Sequence, residues 1–405
     1  MTNLRAMRLA VIFLAGMTLI HAAVFWSQRD QVRAGYPDFT IFYAAGKIVR
    51  QGMAVQLYDR AVQFRTQQEF APRVDIRQAA LPYNHPPFEA LVFVPLTWLP
   101  YFAAYIVWDV VNILILSALP FLLRPHLAVM QRLPWVFWLL LSLAFFPVFV
   151  VLLQGQDSLL FLLLLTLSFL ALKKEADFRA GCWLGLGLFR FHLVLPLLLL
   201  LLLRGKRKVV LGFGLVAIVL ALISVAVVGW QQALAYPAWV WNVERVMGQG
   251  ATLVSSMPNL RGLVESVGLS QVTKTGANSV TAILSIALLL GAALKVRFSV
   301  GAALFELSFS LALLTTVLVS YHVLPHDLCV LLLPVLLLIN YLSEHPPARG
   351  RFSLSVPILV LFFTPVDLLL WFRYGRISLL APLLLLWWWG IASEISRQTA
   401  HRDIQ

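Results

Sequence analysis

The chain reads as an all-α polytopic membrane protein, a bundle of about 12 transmembrane helices with amphipathic helices in a long first external loop. Three observations predict the helical membrane class. Hydrophobic residues fill 60% of the 405 positions and charged residues 12%, with a mean hydropathy of +0.85. A soluble globular domain is about 45–50% apolar and about 25% charged. The apolar residues also fall in continuous runs of roughly 15–24, long enough to cross or nearly cross a bilayer as helices, whereas membrane barrels alternate. Finally, Lys and Arg sit in short clusters between the runs, as in cytoplasmic loops facing anionic lipid. The net charge of +13 therefore needs no nucleic acid, and no nucleic-acid-binding motif accompanies it.

Taken in order, Arg5 and Arg8 precede the run 9–26 and place the N-terminus inside. That run lacks a clear small-residue cleavage site and reads as a retained span. Residues 28–100 are then the first external loop. Residues 101–123 return to Arg124 and Arg132, and 134–153 go out to the turn Gln154-Gly155-Gln156-Asp157. Residues 158–172 end at Lys173, Lys174 and Arg179. The stretch 180–203 lies between that basic cluster and Arg204, Lys206, Arg207 and Lys208. If both clusters are inside, it is too short for two full spans. The expectation is two short helices meeting at Arg190-Phe191-His192, with Gly181, Gly185 and Gly187 allowing close packing; the alternative is one ordinary span. Residues 209–228 go out to a second external loop, 230–279, and 280–294 return to Lys295 and Arg297. The remaining runs are 300–319, 328–342 (ending at His345, Arg349 and Arg351), 354–371 and 377–391, with Arg397 and Arg402 keeping the C-terminus inside. Residues 1–405 thus form a single integral membrane domain. Cys182 and Cys329 read as small core residues, and Trp387, Trp388 and Trp389 as an interface belt.

The first loop is the longest polar interval, and ordered loops of this length usually carry function. Phe39, Phe42, Tyr43, Gly46 and Val49 form a helical stripe opposite Lys47 and Arg50, which predicts an amphipathic helix on the outer leaflet ending at Gly52. A weaker stripe follows at Tyr58, Ala61, Val62 and Phe70. Asp38 sits at the helix start, as an N-cap, a functional carboxylate or both. Pro86-Pro87 forces an extended backbone after Tyr83, Asn84 and His85. Those three are either an interface anchor or part of a sugar or phosphate site.

Pro37-Asp38-Phe39, Gly52, Leu57-Tyr58-Asp59, Tyr83, Pro86-Pro87-Phe88, Pro95 and Leu99-Pro100, in this order after an N-terminal run, resemble glycosyltransferase family 87. Gly155-Gln156, the glycines 181–187 followed by Arg190 where the family usually has lysine, residues 256–263 and residues 320–334 extend the resemblance. The family includes mycobacterial polyprenyl-phosphate-mannose-dependent α-mannosyltransferases with the GT-C fold. The resemblance implies a multi-pass enzyme of the bacterial inner membrane. It would move a hexose, mannose first among them, from a polyprenyl-phosphate donor to a lipid or glycan acceptor on the extracytoplasmic face, with inversion and without a cofactor. A lipid-linked glycan ligase or polymerase and a flippase are the alternatives.

Such a transfer needs a base for the acceptor hydroxyl, assigned to Asp38. It also needs positive charge for the departing phosphate, and Arg190, His192, His322, His326 and Arg261 are the candidates. Tyr83, Asn84, His85, Gln156 and Asp157 complete the expected substrate-binding set. Arg190 in an apolar run is costly unless functional or paired. His322 and His326 are spaced like a helical metal pair, but Pro325 breaks that geometry; Asp157 is a site wall or a turn cap. The first loop lacks an Asp-x-Asp motif, so no metal is expected.

Overall fold

The computed structural model describes residues 4–72, 81–247, 254–268, 273–298, 302–345 and 352–403. Among these residues the chain is helix and turn with no strand. This is the all-α polytopic membrane protein that composition predicts. Seven helices are long and apolar enough to cross a bilayer, among them Arg5–Ser27, Tyr101–Leu123, Arg207–Val228 and Lys274–Lys295. Two further pairs, Trp135–Ala144 with Phe146–Gln154 and Phe352–Phe362 with Thr364–Trp371, are bent by 72° and 66°. Proline explains both bends. Phe145 is extended ahead of Pro147 and Phe363 leaves helical geometry ahead of Pro365, because a proline cannot continue the helical hydrogen bonding of the turn before it. Among the described residues, counting each bent pair once gives up to nine candidate crossings by length and composition, against about twelve expected, and one of these, Asp177–Leu203, turns back on itself. Ser158–Lys173 and Ala303–Val319 are equally apolar but shorter.

The stretch between the two basic clusters has a form that length alone conceals. Asp177–Leu203 is 27 residues of apolar helix. Laid straight it would be about 40 Å long. Its two ends nevertheless meet: Lys206 Nζ donates to both Asp177 carboxylate oxygens at 3.1 and 3.2 Å. The chain goes in as Asp177–Leu186, turns through the tight 3₁₀ segment Gly187–Arg190, and comes back as Phe191–Leu203. Gly181 and Gly212 let this hairpin lie against Arg207–Val228, since a Cβ on either would run into the facing backbone. Arg190 therefore stands at the hairpin tip.

The first loop is ordered differently from the expectation. Phe39–Arg50 is a helix, but Phe39, Thr40, Ile41, Phe42, Tyr43, Ala44, Ala45, Gly46 and Ile48 are all buried. It packs against the loop's own helices rather than resting on lipid. Gly46 allows the backbone at Phe93 to approach closely, and Lys47 pairs with Glu69 at 2.7 Å. Arg60–Gln68 follows, capped by Asp59, whose Oδ1 accepts from the Ala61 and Val62 amides. Pro86 is extended and Pro87 starts the helix Pro87–Phe93, as the proline pair requires.

The described residues of the interval 230–279 are mostly helical: Trp230–Met247, Leu260–Ser266 and the start of Lys274–Lys295. Residues 248–253 and 269–272 of that expected loop lie outside the described residues, as do Arg349 and Arg351 of one expected basic cluster. The tryptophan belt is also corrected. Trp387 is fully buried and Trp388 donates to Thr315 at 2.8 Å, leaving Trp389 facing outward.

At the end of the bundle that holds Lys206, helix ends are joined by a buried polar network. Lys173 Nζ donates to Glu306 Oε1 at 2.6 Å and to the His126 carbonyl at 3.1 Å. Glu306 Oε2 accepts from Asn340 Nδ2 at 3.1 Å, and Asn340 Oδ1 accepts from the Val129 amide at 3.1 Å.

Candidate active site

The opposite end gathers the polar residues that the sequence scatters. Arg190 is the centre. It is only 4% exposed, so its charge must be met within the protein. Nε donates to Asp157 Oδ1 at 3.0 Å, and one terminal nitrogen donates to the same oxygen. The other terminal nitrogen donates to Asp327 Oδ1 at 3.0 Å and lies 3.5 Å from His326 Nε2. Asp327 is held in turn by the Leu324 amide, 2.9 Å from Oδ2, at the start of the turn Pro325–Leu331. His192 Nε2 stands 4.0 Å from Asp327 and 6.0 Å separates the His192 and His322 rings.

From Arg190 the network reaches Asp38 through one side chain. Gln156 Oε1 accepts from Arg190 at 2.6 Å, and Gln156 Nε2 donates to Asp38 Oδ2 at 2.8 Å. The Asp38 amide donates to Gln154 at 3.1 Å. Gly155 between the two glutamines adopts φ +60, the left-handed conformation that ends Phe146–Gln154 and lets both side chains turn toward Asp38. The Gln156 carbonyl is pinned by Trp108 and Asn112, each at 3.2 Å.

Asp38 begins the helix Phe39–Arg50 but its side chain makes no capping bond. Asp157 likewise makes none at the start of Ser158–Lys173. Both carboxylates are committed to the network. Burial works against the Asp157 charge, but Arg190 beside it holds the carboxyl below the ordinary range. Asp38 is half-buried and Asp157, Arg190, His326 and Asp327 are buried, so Asp38 is the network's most accessible acid.

On the far side of Asp157 lie His85 and Glu89. His85 Nδ1 is 2.9 Å from Glu89 Oε2, and burial holds the imidazole down at about 3, so it is neutral. Tyr83 acts from behind: fully buried, it donates to the Pro86 carbonyl at 3.0 Å and its own carbonyl accepts from Trp239 at 3.1 Å. The Asn84 carbonyl accepts from Tyr236 at 3.2 Å. Arg261 is elsewhere. Its guanidinium lies 3.8 Å over the Tyr321 ring and donates to the Tyr321 carbonyl at 3.0 Å. His322 stands beside His192, and the turn Pro325–Leu331 carries His326 to Arg190.

Two acids were absent from the expected set. Asp327 follows His326, and only its place in an apolar run marked it. Glu89 follows Pro86-Pro87-Phe88 in the first turn of Pro87–Phe93, where nothing in the sequence separates it from an ordinary helix acid. A cavity of about 290 Å³ opens beside the network. Its walls, including Phe88, Val92, Trp108 and Phe189, are apolar, and Glu89 and Asp157 are its acidic groups.

A sequence model of glycosyltransferase family 87 matches residues 83–320, more than half of the chain. The chain belongs to glycosyltransferase family 87. No curated protein and no solved structure matches it. The family 87 match takes in Tyr83, His85, Glu89, Gln156, Asp157, Arg190, His192 and Arg261, while Asp38 precedes it and His322, His326 and Asp327 follow it. The protein is therefore a membrane glycosyltransferase that uses a sugar donor and an acceptor, and its buried network joins the matched segment to the two flanking ones.

Proposed function

We propose that the protein transfers a hexose, mannose first among candidates, from a polyprenyl-phosphate donor to a lipid or glycan acceptor with inversion, and that Asp38 is the general base. The carrying observation is the placement of Asp38. Its carboxylate is half-buried, is not used as a helix cap, and is oriented by Gln156, whose other end is fixed on Arg190. A base must be ionised, aimed and reachable by the acceptor hydroxyl, and of the acids in this network Asp38 is the most accessible.

The side of the reaction that meets the departing phosphate is reassigned within this reading, from positive charge to hydrogen bonding. Arg190 meets two carboxylates, so it acts as a positioning residue that holds Asp157, Asp327 and Gln156. His326 and His192 are the groups left to face a departing phosphate. The apolar cavity beside Glu89 and Asp157 supports a lipid-linked donor, because a hydrocarbon tail could lie against Phe88, Val92 and Phe189 while its head reaches the network. The extracytoplasmic location is supported by charge: Lys173 and Lys206 lie at the opposite end of the bundle.

The test uses membranes carrying the protein and a radiolabelled polyprenyl-phosphate mannose. Asp38→Asn is expected to lower transfer at least about 100-fold, the usual contribution of a general base. Full transfer by this variant would overturn the assignment. Gln56→Cys in the exposed part of the first loop is expected to react with an impermeant thiol reagent from outside; protection would overturn the location.

A further inference from the structure

His85, Glu89 and Asp157 present one nitrogen and two carboxylate oxygens that lie within 4.8 Å of one another. The His85–Glu89 hydrogen bond brings the first two together and leaves the approach of Asp157 to be explained. Glu89 uses Oε2 toward His85 and Asp157 uses Oδ1 toward Arg190; Glu89 Oε1 and Asp157 Oδ2 are buried, receive no N–H or hydroxyl, and belong to two carboxyls that lie within hydrogen-bonding reach of each other. The two residues are 3% and 1% exposed. Buried orphan oxygens are rare because each has lost its water without replacement. Two carboxyls side by side in such a place also require something positive between them, either a proton or a cation.

We infer that His85, Glu89 and Asp157 form a binding site for a divalent first-row transition-metal cation. Three features favour a cation over a shared proton. A proton would satisfy the two acids alone, whereas a cation would also use the imidazole nitrogen that lies 2.9 Å from Glu89 Oε2. Arg190 engages only one oxygen of Asp157, leaving the other for a ligand. The apolar cavity ends on Glu89 and Asp157, so three protein ligands would leave coordination positions open toward it, as in reactive rather than closed metal sites. A cation about 2.1 Å from each ligand atom requires those atoms to be roughly 3–4 Å apart, a closure of about 1 Å. One imidazole with two carboxylates suits zinc, manganese or iron better than calcium or magnesium, which prefer all-oxygen sites. Under the reading above, the ion would face the donor's phosphate and offset the acidity of the cavity end. That last step rests on the proposed donor, whereas the site itself does not.

Co²⁺ is the probe, titrated into the purified full-length protein in detergent and followed by visible absorption and by metal content per chain. One Co²⁺ per chain with visible bands, displaced by Zn²⁺, is expected, together with a rise in melting temperature. Glu89→Gln and His85→Ala are each expected to weaken Co²⁺ binding by at least about tenfold. The inference fails if the wild-type protein gives neither bands nor a melting shift, or if Glu89→Gln binds Co²⁺ as tightly as wild type. Neither wild-type measurement depends on a variant folding, and no sugar substrate enters the titration. Failure here would leave the Asp38→Asn transfer result standing, and a failed transfer experiment would leave the metal titration standing.

Discussion

The bundle buries charge at both ends, and the two clusters are built to different standards. Around Lys173, the ammonium, both Glu306 oxygens, the Asn340 amide and the Val129 amide are joined in a closed set. Around Arg190, the guanidinium is fully engaged, but Glu89 Oε1 and Asp157 Oδ2 receive no N–H or hydroxyl and His192 Nε2 makes no hydrogen bond. A closed network fixes helix ends and asks for nothing further. An open one holds desolvated polar atoms that only something from outside the fold can satisfy. Burial of an ion pair alone does not distinguish a brace from a working site; unmet valence does.

This contrast can be broken by experiment. Removing either central cation leaves buried carboxylates uncompensated, which costs about 3–5 kcal/mol. Arg190→Met is expected to lose that much stability and also all measurable transfer, read by thermal unfolding and by label transfer. Lys173→Met should lose about 3 kcal/mol while transfer per folded molecule stays within about twofold, less than 0.5 kcal/mol of barrier. If transfer per folded molecule fell as far in Lys173→Met as in Arg190→Met, the two ends would not differ in kind. Gln156→Leu, which cuts the link between Arg190 and Asp38 but keeps the base, is expected to lower kcat about tenfold, near 1.4 kcal/mol, with KM little changed. The smallest effect belongs to the partly exposed pair of Lys47 and Glu69, where Lys47→Met should change stability by less than about 1 kcal/mol.

Much of the architecture was legible because it follows from local composition. Apolar runs gave the helices, Pro86-Pro87 gave the start of Pro87–Phe93, and two basic clusters too close together gave the hairpin turning at Arg190. What was not legible depends on pairing across the chain. Arg190 reads as a costly cation in an apolar run, but its second acid, Asp327, is 137 positions away, and no spacing rule joins them. Asp38 was a cap or a base by position; only its bond to Gln156 and the absence of a capping bond separate these. The stripe on Phe39–Arg50 showed an apolar face but not whether lipid or protein would cover it, since both are equally free of water. Trp387 was misplaced for the same reason: an aromatic near a helix end is welcome at an interface and in a core.

The hairpin has a consequence for how the protein is made. Two short arms tied at Asp177 and Lys206 cannot be threaded into the bilayer as independent spans, and their tip carries a full charge. Asp157 is already synthesised when Arg190 emerges, but Asp327 is not. The guanidinium must then wait, half-neutralised, until the turn at Pro325–Leu331 arrives. Biogenesis is thereby ordered from within: the last third of the chain does not merely follow the hairpin into the membrane but completes the conditions under which it can stay there.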